Sequence, residues 1–147
     1  MSARSGWFAL ALALWLSAAS RAEADEPPFA ATLSCQPALG PGRILCELSA
    51  RARRGKLVWS DALVVRAPAF ARPLRSRLVA QLDSSAAASG AWARLALVAS
   101  APGEGKLELL ARGVICHDAA TGEWCAPVQA PVTVDIRVPP SAPRRGP

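Results

Sequence analysis

Apolar and polar residues alternate along most of the chain in short runs punctuated by turn residues, which is the period of half-buried β-strands. Phe29, Ala31, Leu33 and Cys35 alternate with Ala30, Thr32 and Ser34. Gln36 to Gly42 is a turn by composition, and Ile44, Cys46 and Leu48 then resume the apolar face. After the basic break Arg51 to Gly55, "KLVWSDALVVRAP" predicts a third strand around Leu57 and Trp59, with an interruption near Asp61 before Val64. "PLRSRLVAQL" predicts a fourth, placing Leu74, Ser76 and Leu78 opposite Arg75 and Arg77. Asp83 to Gly90 is a loop, because its Ala run offers no apolar stripe on which a helix could dock. "AWARLALVASAPGEGKLELLARGVIC" predicts a hairpin turning at Pro102-Gly103-Glu104-Gly105, with the glycines supplying positive-φ positions. The last strand alternates Val132, Val134, Ile136 and Val138 with Thr133, Asp135 and Arg137.

About seven strands with regular turn signals predict an all-β fold, an immunoglobulin-like or fibronectin-like β-sandwich. No helix–strand alternation appears that would support a Rossmann or other α/β fold. Pro68, Pro73, Pro131 and Pro139 fall where strands begin or end.

Composition changes this picture first at the N-terminus. Arg4 precedes an apolar run from Trp7 to Leu16, followed by small residues up to Ala22-Glu23-Ala24, the pattern of a secretory signal peptide with an A-x-A cleavage site. The run is too short to span a bilayer, and no later one is longer. The expected organisation is a signal peptide over 1–24, one β-sandwich over 25–139 and a disordered tail over 140–147. The product is expected to be exported, periplasmic or extracellular, without a membrane span. The leader inflates the hydrophobic fraction of 52%.

The formal net charge is +6, carried almost wholly by arginine, since Lys56 and Lys106 are the only lysines. Arg51, Arg53, Arg54 and Lys56, with Arg72, Arg75 and Arg77 further on, are the candidate basic patch for an anionic envelope polymer. No aromatic residues interleave with them, as a single-strand nucleic-acid binder requires, so nucleic acid is not an expected partner. High Ala, Arg and Pro with little Lys and no Tyr is the composition of a GC-rich coding sequence, which accounts for the charge without any partner.

Four cysteines permit three connectivities. Joining Cys35 with Cys46 and Cys116 with Cys125 closes two small loops, each contributing near 3 kcal/mol by chain entropy. The rival joins Cys46 with Cys116 and Cys35 with Cys125, because Cys46, Trp59 and Cys116 are spaced like the intersheet cysteines and core tryptophan of an immunoglobulin domain. The local pairing leads, and the rival stays open. Neither C-x10-C nor C-x8-C is a metal-knuckle spacing, and export favours oxidation, so neither a metal nor another cofactor is expected.

"GVICHDAATGEWCAPVQAPVTVDIRV" resembles the cysteine-bearing hairpin of the N-terminal periplasmic, immunoglobulin-like domain of the thiol:disulfide interchange protein DsbD family. Cys116, Gly122, Cys125 and Pro127 fall on that family's paired cysteines, loop glycine and following proline. Val132 to Val138 fall on its final strand. The loop between the cysteines is longer here, Ala126 stands where an aromatic is usual, and Val128 replaces a second proline. The resemblance implies a redox-active Cys116–Cys125 pair that relays electrons between thioredoxin-like partners. His117, when protonated, would favour the thiolate that such exchange needs, whereas Asp118 and Glu123 oppose it. Trp124 would shield the pair or dock a partner. The simpler expectation is that the bridge staples the hairpin, Trp124 packs over it and His117 is solvated.

His117 is the only histidine, and no Gly-x-Ser-x-Gly elbow occurs, which leaves a hydrolase without its parts. Glu104 with Glu108, and Asp118 with Glu123, read as turn and surface residues rather than a carboxylate pair for glycoside hydrolysis. The leading expectation is a noncatalytic binding or accessory domain of the cell envelope, acting on an envelope protein. The alternative is the thiol–disulfide relay, the one enzymatic activity the chain suggests.

Overall fold

The computed structural model describes residues 26–83, 90–120 and 122–141. The predicted leader over 1–24, residues 142–147 of the predicted tail and residues 84–89 of the predicted loop lie outside them. Among the described residues nine strands follow one another: β1 (Phe29–Cys35), β2 (Gly42–Ala52), β3 (Lys56–Arg66), β4 (Ala71–Pro73), β5 (Arg77–Val79), β6 (Gln81–Leu82), β7 (Gly90–Ala99), β8 (Gly103–Ala119) and β9 (Gly122–Val138). They form two antiparallel sheets, one ordered β1-β2-β7-β4 with β6 also on β7, the other β5-β3-β8-β9. β1, β2 and β7 take the places of immunoglobulin strands A, B and E, and β3, β8 and β9 those of C, F and G, so the chain is an immunoglobulin-like β-sandwich, although β4 joins the first sheet before β5 joins the second. Among the described residues no helix is long and apolar enough to cross a membrane.

Period-2 patterning builds the core as predicted for β2, where Ile44, Cys46, Leu48, Ala50 and Ala52 are buried and the residues between them exposed. Leu48, Leu95 and Leu97 of the first sheet face Leu107, Leu109 and Ile115 of the second, and all six are fully buried. Each such side chain contributes about 1.5–3 kcal/mol through burial.

The chain departs from expectation at three places. Pro102 to Gly105 is not a hairpin turn, because β7 and β8 lie in different sheets and residues 100–102 carry the chain across. Gly103 and Gly105 are members of β8, and what they supply is room. A Cβ on Gly103 would lie 2.5 Å from the Phe70 ring, and one on Gly105 2.7 Å from Pro68 Cβ. The 68–70 turn, closed by the Ala71 N–H donating to Pro68 O, thus packs directly on the start of β8.

The predicted fourth strand is replaced by three short ones divided between the sheets, and Leu74 is exposed while Leu78 enters the core. The third strand is continuous through Asp61 rather than interrupted. Register shifts between Leu57 and Trp59 and between Val64 and Arg66 re-aim its side chains instead. Leu57 is buried, and the first shift sends Trp59 to the outer face, where it is 39% exposed. Trp59 is therefore not the core tryptophan that the rival cysteine pairing supposed.

The true hairpin of this region is β8–β9, paired without a break from Gly103↔Val138 to Ala119↔Gly122. Odd residues of β8 and even residues of β9 face the core. β9 is an edge strand, and proline within a ladder is tolerated only where its nitrogen faces away from the partner strand. Pro127 and Pro131 therefore point their nitrogens at the open edge, leaving it two hydrogen-bond donors short.

Candidate functional site

Cys116 and Cys125 are direct register partners near the end of this hairpin, joined in a disulfide with a Cα–Cα distance of 4.0 Å. That spacing fits a non-hydrogen-bonded antiparallel pair, where side chains approach most closely. The cysteines sit inside the strands and do not flank a long loop, since pairing continues to Ala119 and Gly122. The second disulfide, Cys35–Cys46, likewise joins register partners, with Gln36 N–H donating to Leu45 O in the next pair. The local connectivity is the one formed. Parity explains why the rival is excluded: Cys46 shares the core face of β2 with Ile44 and Leu48, whereas Cys116 is out of phase with Leu107, Leu109 and Ile115 and faces outward.

The two bridges therefore occupy opposite environments. Cys46 is 2% exposed and belongs to the core, while its partner Cys35 on edge strand β1 is half-buried. Cys116 is 6% exposed, screened by its neighbours in the sheet, while Cys125 on the edge strand is exposed. Across the outer face, Lys56 of β3 stands opposite Cys116, so Lys56, Cys116 and Cys125 form one cross-strand row. The next row toward the core end holds Trp59, Val114 and Pro127, and the next row toward the tip opposes Asp118 to Glu123, both exposed. Like charges placed directly opposite each other destabilise a ladder. The carboxylate of Glu123 and the two sulfurs lie within 4.8 Å of one another. These are the side chains whose donor set suits a metal, although a closed bridge has no thiolate to offer.

His117 and Trp124 face the other way from the bridge. They are register partners whose rings stack with centroids 4.5 Å apart and 19° between planes. Trp124 is 53% exposed and does not pack over the disulfide, because adjacent residues of a strand point to opposite faces. His117 is half-buried rather than solvated. Its ring rests against Gly55, which has φ +78, and a Cβ there would lie 2.7 Å from His117 Cε1 and from Cys116 O. Gly55 thus lets the β2–β3 turn close onto the hairpin.

The candidate basic residues are not gathered on one face. Arg51 lies on the outer side of the first sheet opposite Gly90, and Lys56 on the outer side of the second opposite Cys116. Arg53 and Arg54 lie in the turn between them, with Arg53 ion-paired to Glu26. Of the other acidic residues considered, Glu104 pairs with Arg137 at 2.8 Å, and Glu108 lies 3.9 Å from Arg66.

Sequence reasoning missed one cluster. Asp61 is fully buried on the outer side of the second sheet, where Arg112 Nε donates to Oδ1 at 2.8 Å and Arg77 Nε to Oδ2 at 2.7 Å. Arg112 Nη2 donates to Oδ2 as well, and its guanidinium lies over the Trp59 ring at 5.8 Å. Burial alone pushes the Asp61 carboxyl up, but the hydrogen bonds and charges of Arg112 and Arg77 outweigh it and hold the carboxyl below its ordinary value. The Asp61 contact in turn raises the Arg112 guanidinium. The available signal was a lone acid inside an apolar strand, which reads as an interruption unless its partners are known.

No protein-family model, curated protein or solved structure matches the chain. Two disulfides place the protein in an oxidising environment, since such bonds do not persist where cellular thiol pools keep cysteines reduced. Chemically, one bridge turns toward the core, with only half-buried Cys35 near its surface, and the other presents an exposed edge cysteine, Cys125, to any thiol that reaches the hairpin end.

Proposed function

We propose that this protein is an exported thiol–disulfide exchange module, in which Cys116–Cys125 is the working couple and Cys35–Cys46 the structural staple. The observation that carries the reading is that Cys125, on the outer edge, is the one exposed cysteine, whereas Cys35 is half-buried and Cys46 and Cys116 are buried. A thiolate of a partner dithiol attacks the Cys125 sulfur, the intramolecular S–S bond breaks, and Cys116 leaves beside Lys56, whose charge favours the departing thiolate. The partner's second thiol then attacks the mixed disulfide. The partner ends as a disulfide and Cys116 and Cys125 as thiols, with two electrons and two protons transferred. The resemblance to the DsbD N-terminal domain supports the same couple, and a thioredoxin-like envelope protein supplies the chemistry of the partner.

A redox titration with peptide mapping tests this. The expected result is that Cys116–Cys125 opens above about −300 mV while Cys35–Cys46 stays closed. Simultaneous opening of both bridges, or resistance of both, refutes it. A second reading, a noncatalytic binding domain of the envelope, draws on the exposed Trp124, a large amphipathic ring of the type that anchors protein interfaces. That reading predicts that Trp124→Ala abolishes capture of the partner while a permanently closed bridge leaves capture intact.

A further inference from the structure

We propose that reduction converts the outer face of the hairpin end into a site for a thiophilic divalent cation of the zinc class. Cys116 and Cys125 supply two sulfurs and Glu123 a carboxylate oxygen, with Asp118 directly across the ladder for the fourth position. The inference rests on the exchange reading only in requiring that the bridge can open in the folded protein.

The geometry comes from register rather than from spacing along the chain. Cys116↔Cys125 and Asp118↔Glu123 are consecutive pairs on the same face, so four side chains occupy the corners of one small rectangle of sheet. The ligand atoms of Cys116, Cys125 and Glu123 already lie within 4.8 Å of one another. A tetrahedral ion with bonds of about 2.3 Å to sulfur and about 2.0 Å to oxygen asks for ligand–ligand distances of roughly 3.3–3.8 Å. Rotation about the Cα–Cβ bonds parts the sulfurs that far once the bond between them is broken, with no change in backbone register.

The donor set selects the ion. Two thiolates exclude calcium and magnesium, which take six or more oxygens or keep their waters, and favour zinc and its soft neighbours. Charge argues the same way, because opening the bridge adds two potential thiolates beside two opposed carboxylates, with Lys56 as the one cation in the cysteines' own row. A divalent ion relieves repulsion that the ladder otherwise carries. In the balanced step, a dithiol reductant gives two electrons and two protons to the disulfide and becomes a disulfide itself. Binding then displaces the two thiol protons to solvent. The bound ion holds both sulfurs and blocks exchange until it is removed, so the site makes the couple answerable to zinc.

The test uses the full mature chain, reduced with a phosphine and mapped to show Cys116 and Cys125 open, then titrated with Co(II) and with Zn(II). The expected result is one ion per chain, thiolate-to-cobalt charge-transfer and tetrahedral d–d bands, and none of these in the oxidised protein. Glu123→Gln, a substitution at an exposed position, is expected to weaken binding at least about tenfold, and Asp118→Asn to a smaller extent. A chain that opens and takes no ion, or whose affinity is unchanged in Glu123→Gln, overturns the site while leaving the exchange reading standing. A bridge that opens only on unfolding overturns both.

Discussion

Replacing each pair of cysteines separately distinguishes a bridge that belongs to the core from one that hangs on its end. Chain entropy alone gives nearly equal contributions, about 2.7 kcal/mol for the loop closed by Cys116–Cys125 and about 2.8 kcal/mol for that closed by Cys35–Cys46. Their separations are 9 and 11 residues. The folded state separates them. Cys46 lies between Ile44 and Leu48 and pairs with Leu95, so Cys35→Ala/Cys46→Ala also empties a sulfur's volume from the core, at a further cost of about 1–1.5 kcal/mol. Around Cys116–Cys125 the hairpin end is lined by exposed Asp118, Glu123 and Trp124. Without its bridge that end can fray, which returns part of the lost entropy and relieves the opposed carboxylates. The expected losses are therefore about 4 kcal/mol for the core pair and about 2 kcal/mol for Cys116→Ser/Cys125→Ser. At an m-value near 1.5 kcal/mol per molar, roughly 1.3 M separates their urea midpoints in far-ultraviolet circular dichroism. Equal midpoints, or the reverse order, would show that the hairpin end is as integrated as the core, and the idea that this bridge opens without loss of the fold would be wrong.

Two further outcomes follow from the cluster and the edge. Arg112→Met leaves the buried Asp61 carboxylate with Arg77 alone and is expected to lose about 2–3 kcal/mol, below the usual cost of breaking a buried pair because one partner remains and Arg112 is partly exposed. Since Asp61 titrates lower folded than unfolded, its contribution is full above the unfolded value near 3.9 and is lost as pH falls through the folded value. Urea midpoints taken from pH 7 to pH 2 should thus fall more steeply in the native protein than in Asp61→Asn, and parallel curves would refute the assignment. Replacing Pro127 and Pro131 together by Thr restores two donors to the open edge of β9, and light scattering should then show association that rises with concentration. A variant that stays monomeric at every concentration reached would show that the prolines do not guard that edge.

What alternation along the chain could show was which residues share a face, and it did so wherever a strand kept one register. β1, β2 and the second half of β9 follow their predicted parity because each pairs without a bulge. It failed where two structures have one local signature. A Pro-Gly-x-Gly run between strands marks a tight turn or a crossing between sheets alike. What decides is the packing of Phe70 and Pro68 on Gly103 and Gly105, contacts made some thirty-five residues away along the chain. β3 fails for a related reason: one extra residue at Val58 turns Trp59 outward and leaves Asp61 on the outer side, where only Arg112 and Arg77 can make its burial tolerable. Long-range partners of this kind have no local trace.

The site was half legible, and the half that was not turns on the same parity. Both short disulfides could be proposed from spacing, yet spacing could not exclude an intersheet bridge from Cys46 to Cys116. Phase could, because Cys116 falls between Ile115 and His117, out of step with the apolar series Leu107, Leu109 and Ile115. A cysteine out of phase with its own strand's core positions cannot reach a cysteine that is in phase on the facing sheet. It must bridge sideways, on the outer surface, to the strand beside it. The same phase sends Trp124 away from the bridge and Glu123 toward it, so the neighbours that set the chemistry of the couple are Lys56 and a pair of carboxylates, not the aromatic ring adjacent in sequence. On the exchange reading, a thiol that reaches Cys125 meets the charges of Glu123, Asp118 and Lys56 before any apolar surface, so its recognition there is expected to be electrostatic first.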